Sequence, residues 1–153
     1  MKSLPLVSIL INNFNKEYFC EEAVKSAINQ SYKNVEIIFY DDNSSDLSLN
    51  RIYKLKRKLG IRKLKIIENK NRGYVFSYNQ MEGIKKSLKK SKGQLICLMD
   101  SDDFFKKDKV QKIVKYFKKN KSKDILFDNP IFYYENKSKK KSIENYIYRT
   151  NKW

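Results

Sequence analysis

Four short apolar runs, each closing on polar or acidic residues or a turn, alternate with segments of helical period. This alternation constrains the chain more than anything else in it. The runs are residues 6–11, 35–40, 64–67 and 95–99. They are strand-sized, and their near-continuous apolar character predicts strands covered on both faces. Between them, Cys20, Ala23, Val24, Ala27 and Ile28 mark one helical face over residues 16–30. Leu49, Ile52, Tyr53 and Leu59 mark a second, which Gly60 is suited to close. Tyr78, Met81, Ile84 and Leu88 mark a third, and Val110, Ile113, Val114 and Phe117 a fourth. Asn15 is predicted to cap the first helix, and Ser45 or Asp46 the second. Further strands are predicted at 124–127 and 131–134, separated by Asn129-Pro130. Strand alternating with helix from residue 6 to 119 predicts an α/β fold: a mostly parallel sheet with helices on both faces.

Such sheets bind ligands beyond the carboxyl ends of their strands. The loops at that edge are 12–15, 41–46 and 100–103. In the last, the run ending Leu98-Met99 breaks into Asp100-Ser101-Asp102-Asp103. Clustered carboxylates repel one another and require a cation or hydrogen-bond donors nearby. Asp100 and Asp102 fall on the same side of an extended segment, and hard oxygen ligands of this kind suit Mg or Mn bridged to phosphate oxygens. A solvated loop of helix-capping acids is the competing reading. Asp41-Asp42 also follows a buried run; a carboxylate there can accept from a base N–H or a ribose hydroxyl, or can simply close a turn. Phe14 can stack on a base or pack. Arg72 can pair with a phosphate, beside a Gly73 that permits close backbone approach; a plain loop is the alternative.

The chain contains no His, which removes the usual general base and excludes Ser–His and Cys–His catalysis. Neither a Walker phosphate loop nor a Gly-rich dinucleotide fingerprint occurs, which disfavours nucleotide hydrolysis and nicotinamide chemistry. At 153 residues and 41% hydrophobic, one globular domain is expected over residues 1–135, with a basic tail at 136–153. No apolar stretch approaches the roughly 18 residues that span a bilayer. Cys20 and Cys97 read as reduced core thiols of a cytoplasmic protein. The net charge of +17 favours anionic partners, or reflects lysines spread over solvated faces. The lysines scatter without an aromatic platform, so no specific nucleic acid is expected.

In order and spacing these segments resemble the family 2 inverting glycosyltransferases with the GT-A fold. The residues carrying the resemblance begin with Pro5-Leu6-Val7-Ser8-Ile9 leading to Asn13-Phe14-Asn15, then Ser26 and Asn29-Gln30-Ser31-Tyr32. Glu36-Ile37-Ile38 follows, leading to Asp41-Asp42-Asn43-Ser44-Ser45-Asp46, then Asn71-Arg72-Gly73, Asn79, Gly93 and the segment 98–103. The resemblance covers about residues 4–128 and implies a Rossmann-like nucleotide-diphospho-sugar transferase fold. It implies a nucleotide-sugar donor, most often a UDP-sugar, with Mn or Mg as cofactor. By position, Asp42 is similar to the acid that hydrogen-bonds the base, and Asn12 and Phe14 to residues framing base and ribose. Asn15, Asp41, Arg72 and Ser101 complete the nucleotide-binding set. Asp100 matches the ribose- and metal-side acid, and Asp102 the direct metal ligand. Two departures stand out: Asn13 occupies a place where Pro or Ser is usual, and Ser77-Tyr78-Asn79 replaces Ala-Arg-Asn. Family members continue beyond a chain of this length, and that region normally supplies the base that deprotonates the acceptor. None of Asp124, Asp128, Glu135 and Glu144 is a convincing substitute. The implied partners are the donor, a glycan or lipid-linked acceptor, and peripheral contact with the anionic inner face of a membrane. A non-catalytic module that binds a nucleotide-sugar or a partner protein is the alternative.

Overall fold

The structure is a computed structural model and describes residues 4–70, 76–122 and 125–127. Strands and helices alternate without interruption: β1 Val7–Asn13, α1 Cys20–Ile28, β2 Val35–Asp41, α2 Ser48–Leu59, β3 Leu64–Glu68, α3 Phe76–Lys90, β4 Leu95–Asp100 and α4 Lys109–Lys119. These elements form one compact unit, residues 1–119. A second unit comprises 120–153. Ile125, Leu126 and Phe127 adopt no regular secondary structure, which corrects the strand expected at 124–127. The strand expected at 131–134 and the boundary expected after residue 135 lie outside the described residues.

All described strands are parallel, in the order β3-β2-β1-β4. β1 is central, and Val7, Ile9, Leu10 and Ile11 are buried. Each such side chain contributes about 1.5–3 kcal/mol on leaving water. Alternation divides the strand residues between two layers. Val7, Ile9, Ile11, Ile37, Phe39, Cys97 and Met99 pack with Cys20, Ala23, Val24 and Ala27 of α1, Ile52 and Leu55 of α2, and Val110 and Val114 of α4. Both thiols are free and buried, and burial pushes each up to about 11.

The opposite face of β1 and β2 lies under α3, and here the structure reverses an expectation. The buried stripe of α3 is Asn79, Gly83 and Ser87, while Tyr78, Met81 and Leu88 are exposed. The cause is β2. The Tyr40 ring fills the space beneath the helix, so that a Cβ on Gly83 would stand 2.7 Å from two ring carbons. Only a face of small residues can come that close. In α2 the buried stripe is Ser48, Ile52 and Leu55; Tyr53 and Leu59, expected inside, are exposed.

The caps also differ from expectation at one helix. α1 begins at Cys20, four residues after the expected start, with Phe19 as N-cap and no side-chain capping bond. Asn15 instead adopts a left-handed φ of 51° and its Oδ1 accepts the Ser45 N–H at 2.9 Å. Asp46 serves α2 from one position outside its N-cap, accepting the Ser48 N–H at 2.9 Å. Gly60 closes α2 in the left-handed conformation, at φ 58°.

Candidate functional site

The loops after β1, β2 and β4 meet at the carboxyl edge of the sheet. They enclose a cleft of about 460 Å³ lined by residues 12–16, Tyr40, Asp42, Asn79, Gln80 and residues 100–102. Parallel register brings them together: Asn12 pairs with Tyr40 on one side and Asp100 on the other, and Asn13 pairs with Asp41. Three strands therefore deliver their last residues to one place.

The two acids after β2 part company. Asp41 is buried and does not line the cleft. Its carboxylate accepts from Asn13 Nδ2 at 2.7 Å, the Ser44 N–H at 2.9 Å and the Ser44 hydroxyl at 2.7 Å. The side chain thus fastens the β1 and β2 loops together. Asp42 does line the cleft, and its Oδ1 accepts from Asn69 Nδ2 at 2.9 Å.

At the β4 end, Ser101 is buried and its N–H donates to the Asn12 carbonyl at 3.0 Å, which fixes the acidic loop to β1. Asp100 Oδ1 accepts from Gln80 Nε2 at 3.1 Å. Asp102 Oδ2 lies 2.6 Å from Lys16 Nζ, and both side chains are about two-fifths exposed. Partial burial, with Asp102 and then Asp100 nearby, pushes the Asp103 carboxyl above the usual range. The three carboxylates of this loop thus stand close together, with Lys16 as the cation beside Asp102.

Several buried polar atoms at the cleft have no hydrogen-bond partner among the described residues: Asn12 Oδ1, the Tyr40 hydroxyl and the Ser101 hydroxyl. Buried polar groups are ordinarily satisfied, so such a cluster points to a bound polar molecule. Burial pushes the Tyr40 hydroxyl up to about 12, with Asp42 adding to the effect.

The cleft thus gathers Asn12, Phe14, Asn15, Asp42, Asp100, Ser101 and Asp102 from the residues singled out in the sequence; Asp41 lies beneath it, and Arg72 lies outside the described residues. The structure adds Lys16, Tyr40, Asn79 and Gln80. Lys16 had a signal, since it directly follows the asparagine-rich turn. Tyr40 had none, because it reads as one more apolar residue in a strand.

A parallel sheet flanked by helices, with an acidic, polar cleft at the carboxyl ends of its strands, defines a Rossmann-like α/β fold. The chain belongs to Glycosyl transferase family 2, whose profile matches residues 8–153. A protein of Haemophilus influenzae described as an uncharacterized glycosyltransferase is 38% identical over 121 residues, covering 78% of this chain and 35% of that protein. The Escherichia coli UDP-Glc:alpha-D-GlcNAc-diphosphoundecaprenol beta-1,3-glucosyltransferase WfaP is 32% identical over 132 residues, covering 86% and 48%. The chain thus spans between a third and a half of these two relatives. Among solved structures, the mannosyltransferase PcManGT from Pyrobaculum calidifontis, in complex with GDP-Man and Mn2+, superposes with a TM-score of 0.67 at 18% identity, covering 76% of this chain and 33% of that one. S. aureus TarS 1-349 in complex with UDP-GlcNAc gives a TM-score of 0.62 at 22% identity, covering 74% and 31%. The fold is GT-A.

Proposed function

We propose that this chain binds a nucleotide-diphosphate sugar, in the first instance a UDP-sugar, and serves its inverting transfer to a glycan or lipid-linked acceptor. The observation that carries the reading is the convergence of Asp42, Asp100 and Asp102 on one cleft whose buried polar atoms await partners. Asp42 accepts a ring N–H of the base, and Phe14 stacks on it. Asn12, Asn15 and Ser101 frame the ribose, Asp41 holds their loops in place, and Arg72 meets a phosphate. The UDP-Glc donor of WfaP and the UDP-GlcNAc bound to TarS support a UDP-sugar.

A divalent cation fits the residues present, in a particular way. Among the described residues, no three His, Cys, Asp or Glu side chains form a metal-sized cluster. Asp102 and Asp100 offer hard oxygens and leave most of a coordination shell to phosphate oxygens and water, which suits Mg or Mn bound together with a diphosphate. Held there by Asp102 and Asp100, the cation would offset the charge that grows on the departing diphosphate. The complex of PcManGT with Mn2+ supports this reading.

Inverting transfer breaks the bond from the anomeric carbon to the diphosphate as an acceptor hydroxyl attacks the opposite face. A base must take the hydroxyl proton. Every cleft carboxylate named here already has a donor-side role, so the chain accounts for donor binding and leaves the base unassigned. That same observation favours the second reading, a donor-binding module without turnover. Peripheral association with an anionic membrane from the cytoplasmic side belongs to both readings; among the described residues no helix is long and apolar enough to cross a membrane.

The test is calorimetry with UDP and UDP-sugars, with and without Mn. Metal-dependent binding that is lost in Asp102→Asn, with the fold intact, is expected. No nucleotide binding under either condition, or Mn-dependent UDP binding unchanged in Asp102→Asn, overturns the assignment. Sugar turnover by the same preparation then separates the enzyme from the module.

A further inference from the structure

The charge of this protein is sorted by the fold. The described strands are parallel, so α1, α2 and α3, each of which joins one strand to the next, end at the edge of the sheet opposite the donor cleft. Arg57 and Lys58 end α2, and Lys89 and Lys90 end α3. Arg62 and Lys92 lie in the loops that lead from this edge into β3 and β4. All six side chains are exposed, and none forms an ion pair among the described residues. Both acids of this edge among the described residues are paired: Glu36 is buried and bonded to Lys65 at 2.7 Å, and Asp108 pairs with Lys112 at 2.8 Å. The donor edge, by contrast, holds Asp42, Asp46, Glu68, Asp100 and Asp102.

Lysines at helix carboxyl ends complement the helix dipole, and that alone explains one or two per helix. It does not explain the apolar residues set among them. Leu4, Leu59 and Leu88 are 57%, 51% and 42% exposed at the same edge. Beside Leu59, a shallow recess of about 610 Å³ is lined by Tyr53, Lys56, Arg57, Gly60, Ile61 and Arg62. Cations interleaved with protruding leucines match a bilayer of anionic phospholipid, which offers charge at the headgroups and hydrocarbon just below. A nucleic acid rewards the cations but not the leucines.

We infer that the helix-end edge of the sheet is a docking surface for an anionic phospholipid membrane. This gives a location to the membrane contact proposed above and does not depend on the identity of the donor. Lys106 and Lys107 belong to the same edge, since their carbonyls accept from Gln30 Nε2 at 3.0 Å and the Ser31 N–H at 2.7 Å just beyond the end of α1. This location also sets an orientation. The donor cleft opens away from the bilayer, about 20 Å off at the length of a six- or seven-residue strand. The acceptor this orientation suits is one whose growing end stands clear of the headgroups.

Vesicle flotation of the full chain tests the inference, with phosphatidylcholine alone and with about 30% phosphatidylglycerol added. Binding to the anionic vesicles and not to the neutral ones is expected, weakening with salt. The pairs Arg57→Gln with Lys58→Gln, and Lys89→Gln with Lys90→Gln, should each reduce it by about tenfold. The charge-matched pair Lys54→Gln with Lys70→Gln, exposed in the middle of α2 and in the loop after β3, should change it by less than about twofold. Equal losses in all three pairs, or equal binding to both vesicles, overturns the inference. Duplex DNA bound more tightly than anionic vesicles at the same salt overturns the choice of partner. UDP calorimetry in Mn on the same variants should be unaltered, so a failure of the donor reading would be seen separately from a failure of this one.

Discussion

Lys16 Nζ sits 2.6 Å from Asp102 Oδ2, so the carboxylate assigned to a divalent cation already faces a monovalent one. A pair this exposed is worth about 0.2–1 kcal/mol. Lys16→Met should therefore cost the fold less than about 1 kcal/mol. It should raise Mn affinity in the absence of nucleotide by about two- to fivefold, since the metal no longer displaces the ammonium. At saturating Mn it should weaken UDP binding, because the freed ammonium is the nearest cation to the diphosphate. Mn titration with and without UDP reads both effects, and parallel losses in the two titrations would refute the competition.

Asp41 and Asp42 are adjacent in sequence and opposite in expected behaviour. Asp41→Ala strands the amide of Asn13 and the N–H and hydroxyl of Ser44, and should cost about 2 kcal/mol in chemical denaturation. Asp42→Asn should leave stability within about 0.5 kcal/mol and reduce UDP affinity by at least about tenfold. The reverse pattern would exchange their roles.

Tyr40 carries a buried hydroxyl beside Asp42, with no partner at hydrogen-bond distance among the described residues. Tyr40→Phe removes an unsatisfied polar atom and should leave the melting temperature unchanged or raised. If the hydroxyl serves the nucleotide, UDP affinity falls by about three- to tenfold, the worth of one hydrogen bond. A lower melting temperature together with unchanged UDP affinity would mean that the hydroxyl belongs to the core alone.

Glu36 predicts a pH dependence. Burial alone would raise its carboxyl, but bonds from Lys65, Ser8 and the Lys92 N–H outweigh burial and hold it below the usual 4.5. A depressed native value means that the unfolded chain binds the proton first. The stability Glu36 confers is thus full above the ordinary glutamate value and is lost as pH falls through the lowered one. Glu36→Gln should be less stable than the wild type by about 2 kcal/mol at neutral pH, and the gap should close below pH 4.5. A gap independent of pH would remove the ionic contribution.

The strand-and-helix order, the parallel sheet and the edge at which ligands gather were legible in the chain itself. Apolar runs of strand length and their acidic exits report local burial and local turns, and these depend on neighbours in sequence. The left-handed cap at Gly60 was legible for the same reason. What the helices turn toward the sheet was not. α3 offers an apolar stripe of Tyr78, Met81 and Leu88, yet buries Asn79, Gly83 and Ser87, because the Tyr40 ring on a distant strand leaves room for nothing larger. The different duties of Asp41 and Asp42 were equally hidden, since they follow from Asn13 and Ser44 reaching one carboxylate across two loops.

The sequence by itself determined which acids stand at the carboxyl ends of strands, because an unpaired carboxylate is costly inside a buried run. Only the tertiary structure decided which of them face a ligand, and that the basic ends of α2 and α3 share one edge. Both are consequences of parallel register, which places side by side residues that the chain keeps tens of positions apart.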